Sequence, residues 1–298
     1  MSHLRNSTLA LFGLAAVVAL GATACSNSNS PSTPLLSSQQ ADTLSEEISL
    51  DAEDGISDAT ASGSTSTFTD APPIADINPV GPPQCTPTRS PASPTDTDHD
   101  GVPDSVRFSL NGCVLAYLLE TDTLKGTIDL LDPTKTVADH AVERIFTNVS
   151  RVRLYTISGK TTSETWNGTR MTTRDSSTLT HNETNFRTDY VYRDGSTASH
   201  VRTWTLAFTA DTAGAIKADQ TLPSGKWVIS GTSSWTRGAN TYALTVTTNP
   251  ALHYSASCGS EPRFDSGTLT VVVTKGSQTS TVTIAFTGCG QAPTVTRS

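Results

Sequence analysis

The sequence lacks the short motifs that mark several large enzyme classes. It contains no G-x-S-x-G, H-E-x-x-H, G-x-G-x-x-G or P-loop pattern, so the serine hydrolases, zinc peptidases and nucleotide-dependent enzymes that use them have no support. The histidines are scattered: His181 and His200 fall in polar segments and are expected to face solvent, and His253 is expected to be a strand residue beside Tyr254. We therefore predict that the protein is not an enzyme.

The apolar run near the N-terminus is too short to cross a membrane as a helix. It covers Leu9–Gly21, thirteen residues, whereas a spanning helix needs about 20. Because Arg5 precedes the run and small residues follow it, the order is typical of a secretory signal peptide, which we place at residues 1–24. A transmembrane anchor is the alternative.

The end of this leader, Ala22-Thr23-Ala24-Cys25, fits two processing sites. It matches the A-x-A pattern of ordinary cleavage. It also resembles the lipobox of bacterial lipoproteins, in which a cysteine follows two small residues, although that family usually has leucine at the position of Ala22. The resemblance implies that Cys25 is acylated and anchors the exported protein to the bacterial outer membrane, at the cell surface or in the periplasm.

Five cysteines, at positions 25, 85, 113, 258 and 289, cannot all pair within one chain. Acylation of Cys25 would remove the odd one in an oxidising compartment. The other four allow three pairings, and we favour Cys85–Cys113 with Cys258–Cys289 because each joins neighbours in sequence. Each bond would close a loop of about 30 residues, worth about 3–4 kcal/mol.

Lysine and arginine are absent from residues 26–88, which contain nine acidic residues. Residues 89–298 carry nineteen basic and nineteen acidic side chains, so the net charge of −8 comes from the acidic segment. A segment rich in Ser, Thr, Asp and Pro with few aromatics cannot bury enough apolar surface to offset its ordering entropy. We predict a disordered acidic tether over residues 25–84, with a short helix over Gln39–Leu50 as the alternative, because Leu44 and Ile48 recur at helical spacing.

From about Val106 the chain has the pattern of antiparallel β-structure. Apolar and polar residues alternate, as in Trp204, Leu206 and Phe208, and turn signals such as Asn167-Gly168 and Asp194-Gly195 separate the segments. We predict an all-β domain over residues 114–298, a meander of about ten or eleven strands. A strongly curved sheet, a barrel or a sandwich would each shield its apolar face. This part is neutral and has no basic stripe, so we expect no binding of nucleic acid.

Residues 96–104 place four aspartates around one glycine, in the pattern D-x-D-x-D-G-x-x-D. Ca²⁺ prefers six to eight oxygen ligands in flexible geometry, which alternate residues of a tight loop can supply. The pattern resembles the calcium loop of EF-hands and, more closely, the shorter loops of thrombospondin type 3 repeats. The resemblance implies that Asp96, Asp98 and Asp100 supply side-chain oxygens. It also implies that Val102 supplies its backbone carbonyl and that Asp104 binds directly or through water.

The loop departs from an EF-hand at its twelfth position, where Arg107 stands in place of a glutamate, and no helical pattern flanks it. We therefore expect one structural calcium site, not a sensor. It lies with the first strand inside the ring that the Cys85–Cys113 bond would close, between tether and domain. A solvated acidic linker that binds no metal is the alternative.

The chain as a whole resembles secreted, β-rich lipoproteins of bacteria that carry a calcium loop near the start of the domain. The resemblance implies location and architecture but no activity. We expect a calcium-stabilised envelope protein that presents a binding or structural surface to an envelope or extracellular partner. The alternatives are a lipocalin-like carrier of an apolar ligand or lipid and, more distantly, a secreted hydrolase. A cavity lined by Trp204, Phe208, Trp227 and Trp235 would favour the carrier, a packed interior the surface protein, and converging histidine and carboxylate groups the hydrolase.

Overall fold

The computed structural model describes residues 35–61, 87–116, 119–137, 140–217, 222–258 and 263–298, which form one helix and thirteen strands. The predicted signal peptide, Cys25 and Cys85 lie outside these residues. The elements in chain order are α1 (Ser38–Ala61), β1 (Thr88–Ser90), β2 (Ser105–Ala116), β3 (Glu120–Leu131), β4 (Val142–Tyr155), β5 (Thr161–Arg174), β6 (Thr178–Val191), β7 (Thr197–Ala210), β8 (Gly225–Arg237), β9 (Asn240–Thr248), β10 (Leu252–Tyr254), β11 (Phe264–Lys275), β12 (Gln278–Phe286) and β13 (Thr294–Arg297).

The strands form a single antiparallel sheet that follows sequence order from β1 to β13. β9 and β10 share one position, because both lie between β8 and β11 on either side of an interruption at residues 249–251. β1 and β13 are short edge strands of 3 and 4 residues. The predicted all-β meander is confirmed, and the short edges and the divided strand account for the additional strands.

Alternation of apolar and polar residues places the core on one face of the sheet. In β7, Trp204, Leu206 and Phe208 are buried and Thr203 and Thr205 are exposed, as predicted. Inward-facing residues of β8, β9, β11 and β12 join them in one cluster. Burying a large apolar side chain contributes about 1.5–3 kcal/mol, so this face supplies most of the stability.

Helix α1 begins at a capping box. Ser37 Oγ accepts a hydrogen bond from the Gln40 backbone amide (3.2 Å), and the Ser37 amide donates to Gln40 Oε1 (2.9 Å). These bonds satisfy donors that the first helical turn would otherwise leave unpaired. The helix therefore starts where its own sequence supplies the cap.

The helix is part of the hydrophobic core. Leu44, Ile48 and Ile56 are buried and belong to the same cluster as the inward residues of the sheet. The prediction of a disordered tether over residues 25–84 is therefore wrong for Ser38–Ala61, where the alternative of a helix is confirmed and the helix is longer than expected. Its apolar side is buried against the sheet, which offsets the ordering entropy.

The sheet curves strongly around α1, since strands far apart in the order contact the same helix. Arg144 of β4 binds Asp58 of α1, and β13 contacts the helix while its Arg297 donates to the carbonyl oxygen of Leu36, two residues before α1. Within the described residues no pairing joins β1 to β13. Of the three forms that the sequence leaves open, the strongly curved sheet is the one found.

A line of β-bulges crosses the first half of the sheet. The register shifts within each pairing from β2–β3 to β6–β7. At the β3 bulge Gly126 has φ of 108°, and a Cβ there would lie 2.3 Å from the carbonyl oxygen of Asn148. Because a bulge bends its strand and increases the local twist, the aligned bulges turn the sheet around the helix.

One predicted turn is such a bulge. Asn167-Gly168 lies inside β5, where the pairing with β6 shifts register, so the prediction of a hairpin turn there is wrong. Asp194-Gly195 is confirmed as the turn between β6 and β7, closed by a 2.9 Å hydrogen bond from the Tyr192 amide to the Ser196 carbonyl. Asn-Gly supplies positive φ to either structure, and pairing partners decide between them.

The predicted disulfide between Cys258 and Cys289 is present, with Cα atoms 5.7 Å apart. It joins the segments that flank the β11–β12 hairpin. Cys113 is also disulfide-bonded, and its predicted partner, Cys85, lies outside the described residues.

Candidate metal loop and buried ionic network

The aspartate loop lies immediately before β2 and is fixed at both ends. The Asp104 amide donates to the Thr95 carbonyl (2.8 Å), which closes the loop on itself. The side chain of Val102 anchors it to the sheet in a small buried cluster of Val102, Val106, Phe108, Leu130 and Val142.

Three of the predicted metal ligands lie together in this loop. Asp96, Asp98 and Asp100 each offer a carboxylate oxygen, and these oxygens lie within 4.8 Å of one another. Loop amides orient the first two carboxylates: Gly101 N donates to Asp96 Oδ2 (3.0 Å) and Asp100 N to Asp98 Oδ1 (3.2 Å). Asp100 accepts from the Val102 amide at Oδ1 and from the His140 amide at Oδ2 (2.7 Å each), so backbone amides orient all three carboxylates.

Two of these oxygens are left for a cation. Asp96 Oδ1 and Asp98 Oδ2 are buried atoms with no hydrogen-bond partner among the described residues. Loss of solvation, together with the charges of Asp100 and Asp96, raises the pKa of Asp98. Converging hard oxygens with unused lone pairs match the ligand preference of Ca²⁺, so the donor set fits that ion.

Asp104 is separate from the three clustered carboxylates. Its Oδ2 accepts hydrogen bonds from the hydroxyls of Thr95 and Thr97 (2.8 Å each), and its Oδ1 accepts from the Thr97 amide (2.9 Å). These bonds, that of the Thr97 hydroxyl first, lower the pKa of Asp104. Direct binding of a metal by Asp104 would have to displace them. That the Val102 carbonyl and Asp104 are ligands stays a prediction, and for Asp104 these hydrogen bonds favour a role in closing the loop instead.

A second candidate site, absent from the sequence analysis, is a buried ionic network between α1 and the strands. Glu47, Asp51, Asp54 and Asp58 follow one another at intervals of four, three and four residues, so they share one side of the helix. That side contacts cationic and aromatic side chains of β4–β8. We call these four carboxylates the acidic stripe.

Glu47 binds the end of β8. Trp235 Nε1 donates to Glu47 Oε2 (2.6 Å), Arg237 Nη1 donates to Oε1 (3.1 Å), and the Tyr192 hydroxyl also donates to Oε1. Burial raises the pKa of Glu47 even though these bonds oppose the shift. The three donors compensate for the loss of water around the carboxylate.

Asp51 sits between β6 and β7. It contacts His200 Nδ1 and accepts from Arg202 Nη1, and the Tyr190 hydroxyl donates to it at 3.0 Å. Burial acts to raise the pKa of Asp51, but Arg202 and His200 outweigh it and the pKa is lowered. Asp51 is thus an ionised carboxylate with three partners.

A chain of hydrogen bonds continues from Asp51 to Ser233. His200 Nε2 lies 2.9 Å from Ser233 Oγ. When Nδ1 carries a proton directed at Asp51 and the ring is neutral, Nε2 accepts from the Ser233 hydroxyl. This is the order of groups found in Ser-His-Asp hydrolases, with His200 fully buried and Ser233 partly exposed.

The other half of the stripe binds arginines of β4 and β5. Arg170 Nη2 lies 2.5 Å from Asp54 Oδ2, and Arg144 binds Asp58. Glu183 of β6 links the two halves, because it pairs with both Arg170 and Arg202 at 2.8 Å. Burial opposes ionisation of Glu183, but the two arginines lower its pKa to about 2.

The expectation that His181 and His200 face solvent is wrong. Both are fully buried, His181 within hydrogen-bond distance of the Thr172 hydroxyl (2.8 Å) and His200 on Asp51. Other polar residues near them in the sequence also point inward, so the polarity of a segment does not show which face of the sheet is exposed to solvent. The helix and its acidic stripe could have been found from two signals in the sequence, the spacing of the four carboxylates and the S-x-x-Q capping pattern.

The aromatic residues proposed above as a cavity lining are packed into the core. Trp204, Phe208, Trp227 and Trp235 are all buried in the cluster that contains the apolar side of α1. Phe208 and Trp227 pack with ring centroids 5.1 Å apart. The helix thus fills the space beside these rings.

None of the helices in the described part of the chain has the length and apolar character that crossing a membrane requires. The chain matches no protein-family model, no curated protein and no solved structure.

Proposed function

We propose that the protein is an exported, lipid-anchored component of the bacterial cell envelope whose β-domain is stabilised by calcium and presents a binding or structural surface. It has no catalytic role in this proposal. The observation that carries it is the aspartate loop, in which Asp96 and Asp98 hold buried oxygens without partners. Disulfide bonds at Cys113 and Cys258 support an oxidising compartment.

Acylation of Cys25 is tested by metabolic labelling. A bacterial host given labelled palmitate should incorporate it into the wild-type chain and not into Cys25→Ser, because only the cysteine thiol can take the thioether-linked lipid of a lipobox. Ser26→Ala, the adjacent substitution, should keep the label. Equal labelling of wild type and Cys25→Ser would contradict the anchor.

Removal of calcium should destabilise the domain. With a dissociation constant of the size common in extracellular modules, about 2 mM calcium should add about 0.6–2 kcal/mol to the free energy of unfolding. Adding a chelator should therefore lower the melting temperature by several degrees. Thermal unfolding with and without calcium measures the effect, and an unchanged melt would contradict the site.

Two variants separate metal binding from loop closure. Asp98→Asn should abolish the calcium-dependent rise in melting temperature, because it neutralises one of the three converging carboxylates. Asp104→Asn should lower stability with and without calcium by a similar amount and keep the rise, because its oxygens hold Thr95 and Thr97. A calcium response lost in Asp104→Asn and kept in Asp98→Asn would overturn this assignment.

The packed interior favours a surface role over the carrier. An apolar ligand in the sheet would have to displace the side of α1 that carries Leu44 and Ile48. Such a ligand would compete with a segment already held by several buried ion pairs. The carrier therefore ranks behind the surface protein.

The bonded chain Ser233–His200–Asp51 favours acyl hydrolysis as the second candidate function, with Ser233 as nucleophile. It ranks below the first because Arg202 and Tyr190 share the charge of Asp51. We expect a fluorophosphonate probe to leave Ser233 unlabelled. Labelling that is lost in both Ser233→Ala and His200→Gln would place the hydrolase first.

A further inference from the structure

The acidic stripe of α1 matches the spacing of the strands beneath it. Going along the helix, Glu47 meets β8, Asp51 meets β7, Asp54 meets β5 and Asp58 meets β4. Successive turns of a helix are about 5.4 Å apart and neighbouring strands about 4.8 Å apart. A helix laid across the sheet therefore presents about one carboxylate per turn, and its four carboxylates reach four of the five strands β4–β8.

The surface under the stripe is built to receive carboxylates. Each of β4, β5, β7 and β8 supplies an arginine, and these are Arg144, Arg170, Arg202 and Arg237. The first three are almost fully buried. Aromatic rings hold the guanidinium groups in place: Arg170 lies 3.8 Å from the Phe186 ring centroid and Arg237 4.8 Å from that of Tyr192. Residues outside the helix therefore contact two of the four guanidinium groups.

The helix is attached to the sheet in a way that permits exchange. α1 takes no part in the strand pairings of the described sheet, so no strand pairing has to break when the helix leaves. The covalent connection from Ala61 to β1 runs through residues 62–87, which span up to about 85 Å when extended. The same contacts can therefore form with an α1 from another molecule, which is the geometry of domain swapping.

We propose that the concave face of β4–β8 is a receptor site for an acidic amphipathic helix with about one carboxylate per turn, and that a second copy of this chain can supply that helix in place of the molecule's own α1. The site recognises charge spacing through four arginines and packs the apolar side of the helix against the core. This goes beyond the proposed function, which names no particular binding surface. It requires neither acylation nor calcium.

The test uses the full chain with a protease site inserted among residues 62–86. After folding and cleavage, a fluorescent peptide of residues 35–61 is added and its anisotropy is followed. We expect it to replace the endogenous fragment, while far-UV circular dichroism shows that the sheet is retained. A peptide with Asp51→Asn, Asp54→Asn and Asp58→Asn should bind at least about a hundredfold more weakly.

The control peptide carries Asp42→Asn and Glu46→Gln, which remove two charges from the exposed side of the same helix. It should bind within about threefold of the unmodified peptide, because exposed charges contribute little. Equal weakening by both sets of substitutions would overturn recognition by the arginine row. The inference is also overturned if the cut protein never exchanges its fragment, or if the sheet unfolds when the fragment leaves.

Whether a second copy of the chain supplies α1 is tested with the uncut chain. At high concentration it should form dimers, measured by light scattering after size-exclusion chromatography, and excess unmodified peptide should convert them to monomers. Exchange in the cut chain without dimers of the uncut chain would overturn the second copy as the source. Both measurements are made in constant calcium on unacylated protein, so a negative result would not bear on the calcium site or the acyl anchor. Failure of the calcium or labelling experiments would likewise not bear on helix exchange.

Discussion

Replacing Arg202 by methionine should lower the free energy of unfolding by about 3–5 kcal/mol, the range measured when one member of a buried ion pair is removed. Arg202 is fully buried and binds both Asp51 and Glu183. Methionine has a comparable length but no charge, so two buried carboxylates lose a partner. Urea unfolding of the two proteins at neutral pH measures the difference.

Arg187→Met on the neighbouring strand is the matched control. Arg187 also pairs with an aspartate at 2.8 Å, but half of its side chain is exposed (52 %). Its loss should cost less than about 1 kcal/mol. The cost of Arg202→Met should also shrink as the pH falls toward 2, where Glu183 takes up a proton in either protein. Similar costs for the two variants would contradict an ionic network that stabilises the fold.

The sheet could be predicted because its signals are local. Trp204, Leu206 and Phe208 alternate with threonine and alanine within one strand, so burial of one face follows from a few adjacent residues. Each hairpin joins strands that are neighbours in sequence. The strand order of a meander can therefore be predicted from local sequence, whereas the direction in which the sheet curves cannot.

The helix could not be predicted in the same way, because what stabilises it lies far along the chain. Asp58 binds Arg144, 86 residues later, and Glu47 binds Arg237, 190 residues later. Without those partners, a run of carboxylates with no lysine or arginine has the composition of a disordered tether. The neutral balance of residues 89–298 also conceals how many arginines point inward.

The metal loop falls between these cases. The spacing of Asp96, Asp98 and Asp100 is local and places three carboxylates together, as the structure has them. Asp104 has the same residue type and the expected offset, yet its oxygens are taken by Thr95 and Thr97. The competing hydroxyls are visible in the sequence, but their direction depends on the backbone of the folded loop.

Glu164→Gln should stabilise the protein at about pH 8 and leave it nearly unchanged at about pH 4. Glu164 is partly buried on β5, opposite Tyr190, and burial followed by the charge of Asp54 raises its pKa from 4.5 to about 7. In the window from 4.5 to 7 the folded protein holds a proton that the unfolded chain has lost, so stability falls as pH rises. Glutamine does not titrate, so the variant avoids this loss of unfolding free energy, which amounts to roughly 3 kcal/mol above about pH 7.

His181 contributes with the opposite sign, and this gives the variant a distinct pH profile. Burial lowers its pKa from 6.5 to about 4, so the unfolded chain takes up a proton first and stability falls as pH drops from about 6.5 to about 4. In the wild type the two groups oppose each other between about pH 4.5 and 6.5, and their contributions largely cancel. The stability of Glu164→Gln relative to the wild type should therefore rise from about pH 4.5 to about pH 7 and then stay constant to about pH 8. Urea unfolding at a series of pH values measures both curves. Parallel curves would mean that Glu164 is solvated in the folded protein, and that the polar interior around α1 is wetter than its ion pairs indicate.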